Sequence, residues 1–294
     1  MYELINVCGN TYYFECPSKV GVWVNGKDAW LIDSGNNKEA ARKILKTVRE
    51  QGWEVKAIIN THSHADHCGG NLFIADRTSC EIYAPFIESL IVNEPLLEPA
   101  LLYGGNPPKK LRNKFLMAQP SSSEALKKEY LPDGFEIADL SGHSWGMVGI
   151  KTPDGVWFIG DSLFGEETME KYHVSYLTDP KAFLESLKKL ESLEGELFVP
   201  SHTPAMTDVK ELTEKNRKKT LEILDVIESA CAEAKDSEEI IKAVFDHYGL
   251  TLTFEQHALV GSTVRSYITS LHDDGKIEPI IENNRLLWKR AVEE

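Results

Sequence analysis

The sequence contains the stretch Thr61-His62-Ser63-His64-Ala65-Asp66-His67, which places three histidines and one carboxylate within six positions. It follows an apolar run at residues 55–59 and precedes two glycines at residues 69–70. Because His62 and His64 are two residues apart, an extended chain points both to the same side, and Asp66 and His67 can face a second ion. Imidazole and carboxylate are typical ligands of zinc, iron and manganese. The stretch therefore predicts a metal site rather than a loop enriched in histidine by chance.

Three later segments also place a candidate ligand close behind a strand-like apolar run. The candidates are His143, Asp161 and His202, each next to or one residue from a glycine, proline or serine. In layered α/β proteins, sites form where strands end at their carboxyl side. A single histidine in such a place is more often an ordinary surface or core residue. Four segments with the same pattern favour one shared site.

With these residues in this order, the chain resembles the metallo-β-lactamase superfamily, whose HxHxDH signature matches His62, His64, Asp66 and His67. The resemblance covers about residues 2–207. It implies an α/β fold of four layers, αββα, and two divalent metal ions, zinc above all, with iron or manganese as alternatives. The implied ligands are His62, His64 and His143 for the first ion, Asp66, His67 and His202 for the second, and Asp161 as the bridge between both.

Four positions refine this resemblance. Asp33 matches a family aspartate that supports the histidine loop and fixes ligand orientation, although a simple turn residue is the alternative. The usual Pro-Gly-His-Gly is Pro200-Ser201-His202-Thr203 here, which keeps the ligand and leaves the loop shape open. Asp161 stands where one major class of true β-lactamases has cysteine, which favours a hydrolase branch other than antibiotic cleavage. Cys68 invites a thiolate role, but a small buried residue is the preferred interpretation.

The charge at such a centre predicts its chemistry. Two divalent ions bring four positive charges, and Asp66, Asp161 and a bridging hydroxide return three, which leaves about one. A divalent ion lowers the pKa of its water toward about 7, so metal-bound hydroxide is expected to attack an ester, thioester, lactone or phosphodiester. Asp66 is also a candidate catalytic residue, since it can accept the proton of the nucleophile. The net positive field favours a small anionic substrate.

Composition limits the remaining function classes. The chain has 294 residues, 42% of them hydrophobic, and a formal net charge of −14. This acidity disfavours a long nucleic-acid footprint, because phosphate contacts supply most of such affinity. No apolar run approaches the roughly 18 residues of a membrane helix. Five scattered cysteines indicate reduced thiols and a cytoplasmic chain.

The pattern along residues 1–207 predicts one catalytic domain. Residues 11–14, 19–24 and 29–32 predict a meander, its last turn carrying the hairpin signal Asn25-Gly26. Residues 39–51 predict an amphipathic helix. Residues 86–130 show no strand signal but many apolar residues, which suggests a mobile cover over the metal cleft. A subunit interface, as in a homodimer, is the alternative for this insertion.

Residues 208–294 predict a separate C-terminal module. Helices over 210–234, 236–248, 253–259 and 262–271, then strands over 277–281 and 285–289, resemble the winged-helix appendage of the β-lactamase-like protein 2 group, which includes ribonucleases. Residues 210–294 hold 12 basic and 17 acidic side chains, a net charge of −5. The helix at 262–271 has a single base, Arg265, so packing or dimerisation is favoured over duplex binding.

The leading functional hypothesis is a dinuclear hydrolase of a small thioester, ester or lactone, similar to glyoxalase II. A metal-dependent endoribonuclease is the first alternative, supported by the C-terminal module and weakened by the negative charge. A mono-iron persulfide dioxygenase is the second. A protein that binds metal without catalysis is the remaining class.

Overall fold

Two β-sheets packed face to face form the centre of the computed structural model, which describes residues 2–291. The larger sheet has seven strands in chain order: β1 (Glu3–Cys8), β2 (Thr11–Glu15), β3 (Val20–Asn25), β4 (Asp28–Ile32), β5 (Glu54–Ile59), β6 (Glu81–Ala84) and β7 (Glu124–Ala125). The smaller sheet has the order β11-β10-β9-β8, with β8 (Glu136–Asp139), β9 (Val148–Lys151), β10 (Val156–Gly160) and β11 (Leu197–Pro200).

Within residues 2–291, ten α-helices and a C-terminal hairpin surround the sheets. The helices are α1 (Lys38–Glu50), α2 (Ala65–Cys68), α3 (Asn71–Thr78), α4 (Phe86–Asn93), α5 (Leu97–Tyr103), α6 (Glu166–Tyr172), α7 (Pro180–Ser192), α8 (Lys210–Ala230), α9 (Ser237–His247) and α10 (Phe254–Asp273). The hairpin consists of β12 (Ile277–Glu282) and β13 (Arg285–Arg290). Among the described residues, none of the helices is both long and apolar enough to span a bilayer.

Three apolar layers hold these elements together, as burial of one face of each sheet and helix requires. One layer lies between the sheets and includes Trp23, Phe135 and Phe158. Another packs α1 against the outer face of the larger sheet through Ile44 and Leu45. The third covers the outer face of the smaller sheet. The αββα layering predicted from the sequence is confirmed.

Local sequence explains why the predicted elements form. Asn37 caps α1, because its side chain accepts hydrogen bonds from the N–H groups of Glu39 and Ala40 at 2.8 and 3.1 Å. The β3–β4 hairpin turns at Gly26, whose φ of +64° suits glycine. Strand β1 was not part of the predicted meander. Its side chains are exposed or half-buried at the edge of the sheet, so its apolar pattern is weak.

Strand direction places the loops of interest at one end of both sheets. Strands β4, β5 and β6 run parallel, and so do β10 and β11. Their carboxyl ends therefore open toward a common edge, where the loops after β4, β5, β10 and β11 meet. The turn from β8 to β9 reaches the same edge, because β9 runs antiparallel to both β8 and β10.

The insertion at residues 86–130 contains two helices, α4 and α5, and a short 3₁₀ helix at Lys128–Tyr130. The prediction that it lacks strands is wrong by two residues, since β7 pairs in parallel with β6. A strand this short leaves no alternating pattern in the sequence. Helix α5 contacts α10, so the insertion lies against the C-terminal module.

The C-terminal module packs on the smaller sheet without a solvent gap. One buried apolar cluster contains Leu140 and Trp157 from the sheet side together with Ile223, Val264 and Tyr267 from α8 and α10. Two helices predicted at 253–259 and 262–271 are wrong, because α10 is continuous. The continuous helix includes Gly261, a residue that a helix tolerates at a cost of about 1 kcal/mol. The likeness to a winged helix stays a prediction, as does the boundary at residue 207.

Candidate metal centre

The common edge of the two sheets gathers all seven predicted ligands. They are His62, His64, Asp66, His67, His143, Asp161 and His202. Their donor atoms form three groups within which every distance is at most 4.8 Å: His62, His64 and His143; His62, His67 and Asp161; and Asp66, His67 and His202. We call the first of these groups position 1 and the last position 2. Positions 1 and 2 contain the residues that the resemblance implies for the first and second ion, and the assignment of these residues as metal ligands stays a prediction.

Position 1 is compact. His64 Nδ1 lies 3.1 Å from His62 Nε2 and 2.9 Å from His143 Nε2. Two ligands bound to one tetrahedral zinc at about 2.0–2.1 Å lie roughly 3.3 Å from each other. The three nitrogens therefore have nearly the separations that a shared ion requires.

Position 2 is more open. His202 Nε2 lies 3.2 Å from Asp66 Oδ2, and His67 Nε2 lies 3.5 Å from the same oxygen. Ser18 donates a hydrogen bond to Asp66 Oδ2 at 2.8 Å. The side chains of Asp66 and His202 are 40% and 37% exposed, whereas that of His67 is fully buried.

Asp161 lies between the two positions, directly after β10. Its Oδ1 is 3.3 Å from His67 Nε2, and its Oδ2 is 3.4 Å from His143 Nε2 and 3.2 Å from His202 Nε2. One carboxylate therefore faces histidines of both positions. This placement suits the bridging role that the resemblance assigned to it.

The outer ring nitrogens of four histidines each lie against an oxygen. His62 Nδ1 donates to Thr61 Oγ1 at 3.0 Å, His67 Nδ1 to Asp33 Oδ2 at 2.8 Å, His143 Nδ1 to the Tyr176 carbonyl at 3.0 Å, and His202 Nδ1 to the Pro17 carbonyl at 2.8 Å. A proton on the outer nitrogen leaves a lone pair on the inner one. Metal-binding histidines in proteins are held in this way.

Asp33 supports the histidine loop as expected. Its carboxylate accepts hydrogen bonds from the Thr61 N–H at 2.8 Å, the Thr61 hydroxyl at 2.9 Å and His67 Nδ1 at 2.8 Å. The residue is buried and has a φ of +64°, a conformation that non-glycine residues adopt at a cost. Its simpler role as a turn residue does not account for these three bonds.

Two buried polar atoms in the centre lack a hydrogen-bond partner among the described residues. They are His67 Nε2 and Asp161 Oδ1, which lie 3.3 Å apart. Buried polar atoms are nearly always paired, because an unpaired one costs about 1–3 kcal/mol. Both atoms face into the ligand group, so a cation with two open coordination sites would satisfy them. The donor set and these two atoms therefore fit a divalent metal.

The carboxylates divide the histidines into two electrostatic classes. Burial holds the pKa of His62 well below its ordinary value and lowers the pKa of His143 to about 3. Asp161 raises the pKa of His202 to about 10. Burial opposes protonation of His67, yet the nearby carboxylates raise its pKa well above the ordinary value. His62 and His143 of position 1 are therefore neutral imidazoles, whereas His67 and His202 of position 2 hold protons when no metal competes for them.

The loop around His202 has a defined shape despite its departure from the family pattern. The Ser201 N–H donates to the Gly160 carbonyl at 3.0 Å, and the Lys19 N–H donates to the Ser201 carbonyl at 3.1 Å. The Lys19 ammonium donates to the Thr203 carbonyl at 2.9 Å. Lys19, in the segment between β2 and β3, therefore fixes this loop through hydrogen bonds to two of its backbone carbonyls.

Two glutamates at this centre were not found by sequence analysis. Glu88 in α4 is fully buried beneath the ligand loops, and Glu98 in α5 is 8% exposed. Glu98 Oε1 lies 3.6 Å from His64 Nε2, and burial raises the pKa of Glu98. A signal for Glu88 was present, since it is the single charge in the apolar run at residues 86–92.

Cys68 is buried, and its thiol donates to the Ser63 carbonyl at 3.0 Å. Burial raises the pKa of this thiol well above its ordinary value. A neutral thiol is a poor metal ligand, so the preferred interpretation as a small buried residue is supported. All five cysteines are free.

A cavity of about 540 Å³ opens beside His202. Its walls come from the loop after His202, from α6 and from the start of α8. Its charged side chains are Glu166, Glu167, Asp208, Glu211 and Lys215. Lys215 is paired with Glu166 at 2.7 Å and Glu211 at 2.6 Å, so the cavity is acidic.

Comparisons with known proteins agree with this geometry. Residues 13–202 match the family described as Metallo-beta-lactamase superfamily. A hydroxyacylglutathione hydrolase of Erythrobacter litoralis is 26% identical over 57% of this chain and 55% of its own length. The hydroxyacylglutathione hydrolase GloC of Haemophilus influenzae is 29% identical over 49% of this chain and 65% of its own. The chain thus spans little more than half the length of these curated relatives.

A solved structure extends the likeness of the fold. A beta-lactamase domain protein from Burkholderia ambifaria has a TM-score of 0.75 at 16% identity, covering 98% of this chain and 94% of its own. The shared fold therefore includes the C-terminal module as well as the two sheets. Since the family match spans well over half of the sequence and the fold agrees, the chain belongs to the metallo-β-lactamase superfamily.

Proposed function

We propose that this protein is a metal-dependent hydrolase of a small thioester, with two divalent ions held at positions 1 and 2. The observation that carries the proposal is the pair of three-residue ligand groups joined by Asp161. A site for one ion needs only one such group. Zinc suits the five imidazoles and two carboxylates best, since it accepts nitrogen and oxygen ligands in tetrahedral geometry.

The chain's own residues would orient the ions and move protons. A bound divalent metal supplies a Lewis acid and lowers the pKa of water at the site. His62, His64 and His143 would hold one ion, and Asp66, His67 and His202 the other. Asp66, whose side chain is 40% exposed, would accept a proton from water. Loops held by Asp33 keep these groups fixed during the reaction.

The substrate class rests on the relatives and on the cavity beside His202. Both relatives named above are hydroxyacylglutathione hydrolases, so a thioester is the natural candidate. The cavity carries four carboxylates against one lysine, and like charges repel at short range. We therefore place the acyl group in this cavity, with any anionic carrier pointing away from it.

Metal content and a substrate panel test the proposal together. The purified chain, loaded with Zn²⁺ and freed of excess metal, is expected to hold two equivalents. It is then assayed on a glutathione thioester, a coenzyme A thioester, a neutral thioester, a lactone, a persulfide and single-stranded RNA. Thioester hydrolysis that is lost on chelation and in His62→Ala would support the proposal.

Other outcomes point to other members of the superfamily. Cleavage of RNA that His62→Ala abolishes would replace the proposal with an endoribonuclease. One equivalent of iron with persulfide oxidation would replace it with a dioxygenase. Full metal loading without turnover on any substrate would indicate a protein that binds metal without catalysis. Asp133→Asn is a suitable control, because this exposed carboxylate lies outside the centre.

A further inference from the structure

Glu88 is a fully buried carboxylate in α4, outside the predicted ligand set. It accepts four hydrogen bonds. Oε2 accepts from the Ser63 N–H at 2.9 Å and the Ser63 hydroxyl at 2.5 Å. Oε1 accepts from the Ser144 hydroxyl at 2.9 Å and the Gly146 N–H at 2.7 Å. Four donors compensate for taking this charge out of water.

The four donors belong to two ligand loops. Ser63 lies between His62 and His64, and Ser144 directly follows His143. All the hydrogen bonds that the Glu88 side chain makes among residues 2–291 end on these loops. The two loops are separated by about eighty residues of sequence but contribute all three ligands of position 1. Oε2 of Glu88 thus holds the loop of His62 and His64, and Oε1 holds the loop of His143.

We propose that Glu88 is a positioning residue for position 1, which fixes the distance between the His62–His64 turn and the His143 loop. A carboxylate is suited to this task, because its two oxygens accept in fixed directions. The inference rests on the proposed metal centre. It also assigns the insertion a role, since α4 anchors residues 86–130 to the ligands rather than leaving them free above the cleft.

Support of this kind acts on metal affinity. Removing a partner outside the ligand set typically costs about 10–100-fold in metal affinity. Glu88→Gln keeps the volume but replaces one acceptor with an NH₂ group, which leaves a backbone or hydroxyl donor unpaired. The loss should fall on position 1 alone, because no bond from Glu88 reaches Asp66, His67 or His202.

Two background variants separate the positions. His202→Ala retains position 1, and His143→Ala retains position 2. Co²⁺ affinity is measured for each by competition with a chelator, and the visible spectrum of bound Co²⁺ reports its coordination. We expect Glu88→Gln to weaken binding about 10–100-fold in the His202→Ala background and less than threefold in the His143→Ala background. Glu94→Gln, an exposed glutamate of the same insertion, is the matched control.

A milder variant covers the case in which Glu88→Gln does not fold. Ser144→Ala removes a single hydroxyl donor and leaves the carboxylate in place, so it should weaken position 1 by a smaller factor. Conversely, hydrogen exchange in α4 should slow when Co²⁺ fills position 1, since coupling between two sites is reciprocal. Both measurements are made on the full chain.

The outcomes are distinct. Equal losses at both positions, or unchanged affinity and spectrum in Glu88→Gln and Ser144→Ala, would overturn the positioning role while leaving the metal centre intact. Absence of Co²⁺ binding by the unmodified chain would overturn the metal centre itself, and this inference with it. A selective loss at position 1, with Glu94→Gln unchanged, would establish the role.

Discussion

Positions 1 and 2 use similar ligands but are built differently. Position 1 has three imidazoles, all at most 16% exposed, on two loops joined by a buried glutamate. Position 2 combines one buried histidine with Asp66 and His202, both more than one third exposed. Burial lowers the pKa of His62 and His143 in position 1, whereas nearby carboxylates raise the pKa of His67 and His202 in position 2. Protons therefore compete with metal mainly at position 2.

The supports of the two positions also come from different parts of the chain. Position 1 depends on the insertion, through Glu88 and Glu98, and on the Tyr176 carbonyl. Position 2 depends on the N-terminal sheet, through Asp33 and the Pro17-Ser18 segment. Because the two sets of supports do not overlap, we expect a mutation in one set to leave the other position in place. We expect position 1 to bind metal more tightly.

The largest expected effect comes from substituting Asp161, which lies between positions 1 and 2. Asp161→Asn keeps the shape of the side chain but removes its charge from between the two ions. Thioester hydrolysis should fall by about 100-fold or more, since charge stabilisation by bound metal contributes several kcal/mol. Metal content should also fall below two equivalents. Steady-state kinetics and elemental analysis test this, and unchanged values for both would show that the positions are independent.

Next comes a direct contrast between His143→Ala and His202→Ala. Truncating the buried His143 should lower the free energy of unfolding of the metal-free chain by about 1–3 kcal/mol, because the Tyr176 carbonyl loses its donor. Truncating the exposed His202 should lower the free energy of unfolding by less than about 1 kcal/mol. Urea unfolding in chelator measures both. Equal losses of unfolding free energy in the two variants would contradict the claim that position 1 is the more deeply buried.

The pH dependence of metal binding offers a third test. The raised pKa values of His67 and His202, the latter at about 10, mean that metal entering position 2 displaces protons. Affinity for the weaker ion should therefore rise between pH 6.5 and 8.5. Affinity for the tighter ion should rise less over this range, because burial lowers the pKa of His143 to about 3 and also lowers that of His62. Competition titrations over this pH range, with the released protons measured, test this expectation. An equal pH dependence of metal affinity at both positions would refute the assignment of the protonated histidines to position 2.

The smallest expected effect concerns Glu98. Its carboxylate lies 3.6 Å from His64 Nε2, which is too far for a hydrogen bond. Glu98→Gln should therefore weaken Co²⁺ binding at position 1 by less than about tenfold, the lower limit for a bonded outer partner. Glu94→Gln serves again as the control. A larger loss would mean that the contact shortens when metal is bound.

Sequence analysis anticipated much of the centre, for a physical reason. Ligands such as His62 and His64 must be particular residue types at short spacing, so they leave a visible signature. Asp33 was also anticipated, since its position after a strand is part of the same signature. Glu88 was not, because a partner that acts through Ser63 and Ser144 can come from any element that reaches those loops.

The fold likewise has elements that the sequence predicted and elements that only the structure shows. The apolar patterns predicted the strands at residues 11–14, 19–24 and 29–32 and the helix at residues 39–51, which the structure contains as β2, β3, β4 and α1. The two-residue β7 and the continuous α10 were missed. Pairing with a neighbouring strand determines whether β7 forms, and burial of one face determines the length of α10, more than local propensity does.

The sequence by itself determined which atoms can bind metal and in which order they occur, because ligand chemistry is a property of residue type. Only the tertiary structure decided which of the seven candidate ligands are buried, and which oxygen atom lies against the outer nitrogen of His62, His67, His143 and His202. Those properties depend on burial and on contacts between segments as distant as Glu88 and Ser144. Such contacts exist only once the two sheets, the insertion and the C-terminal module have packed together.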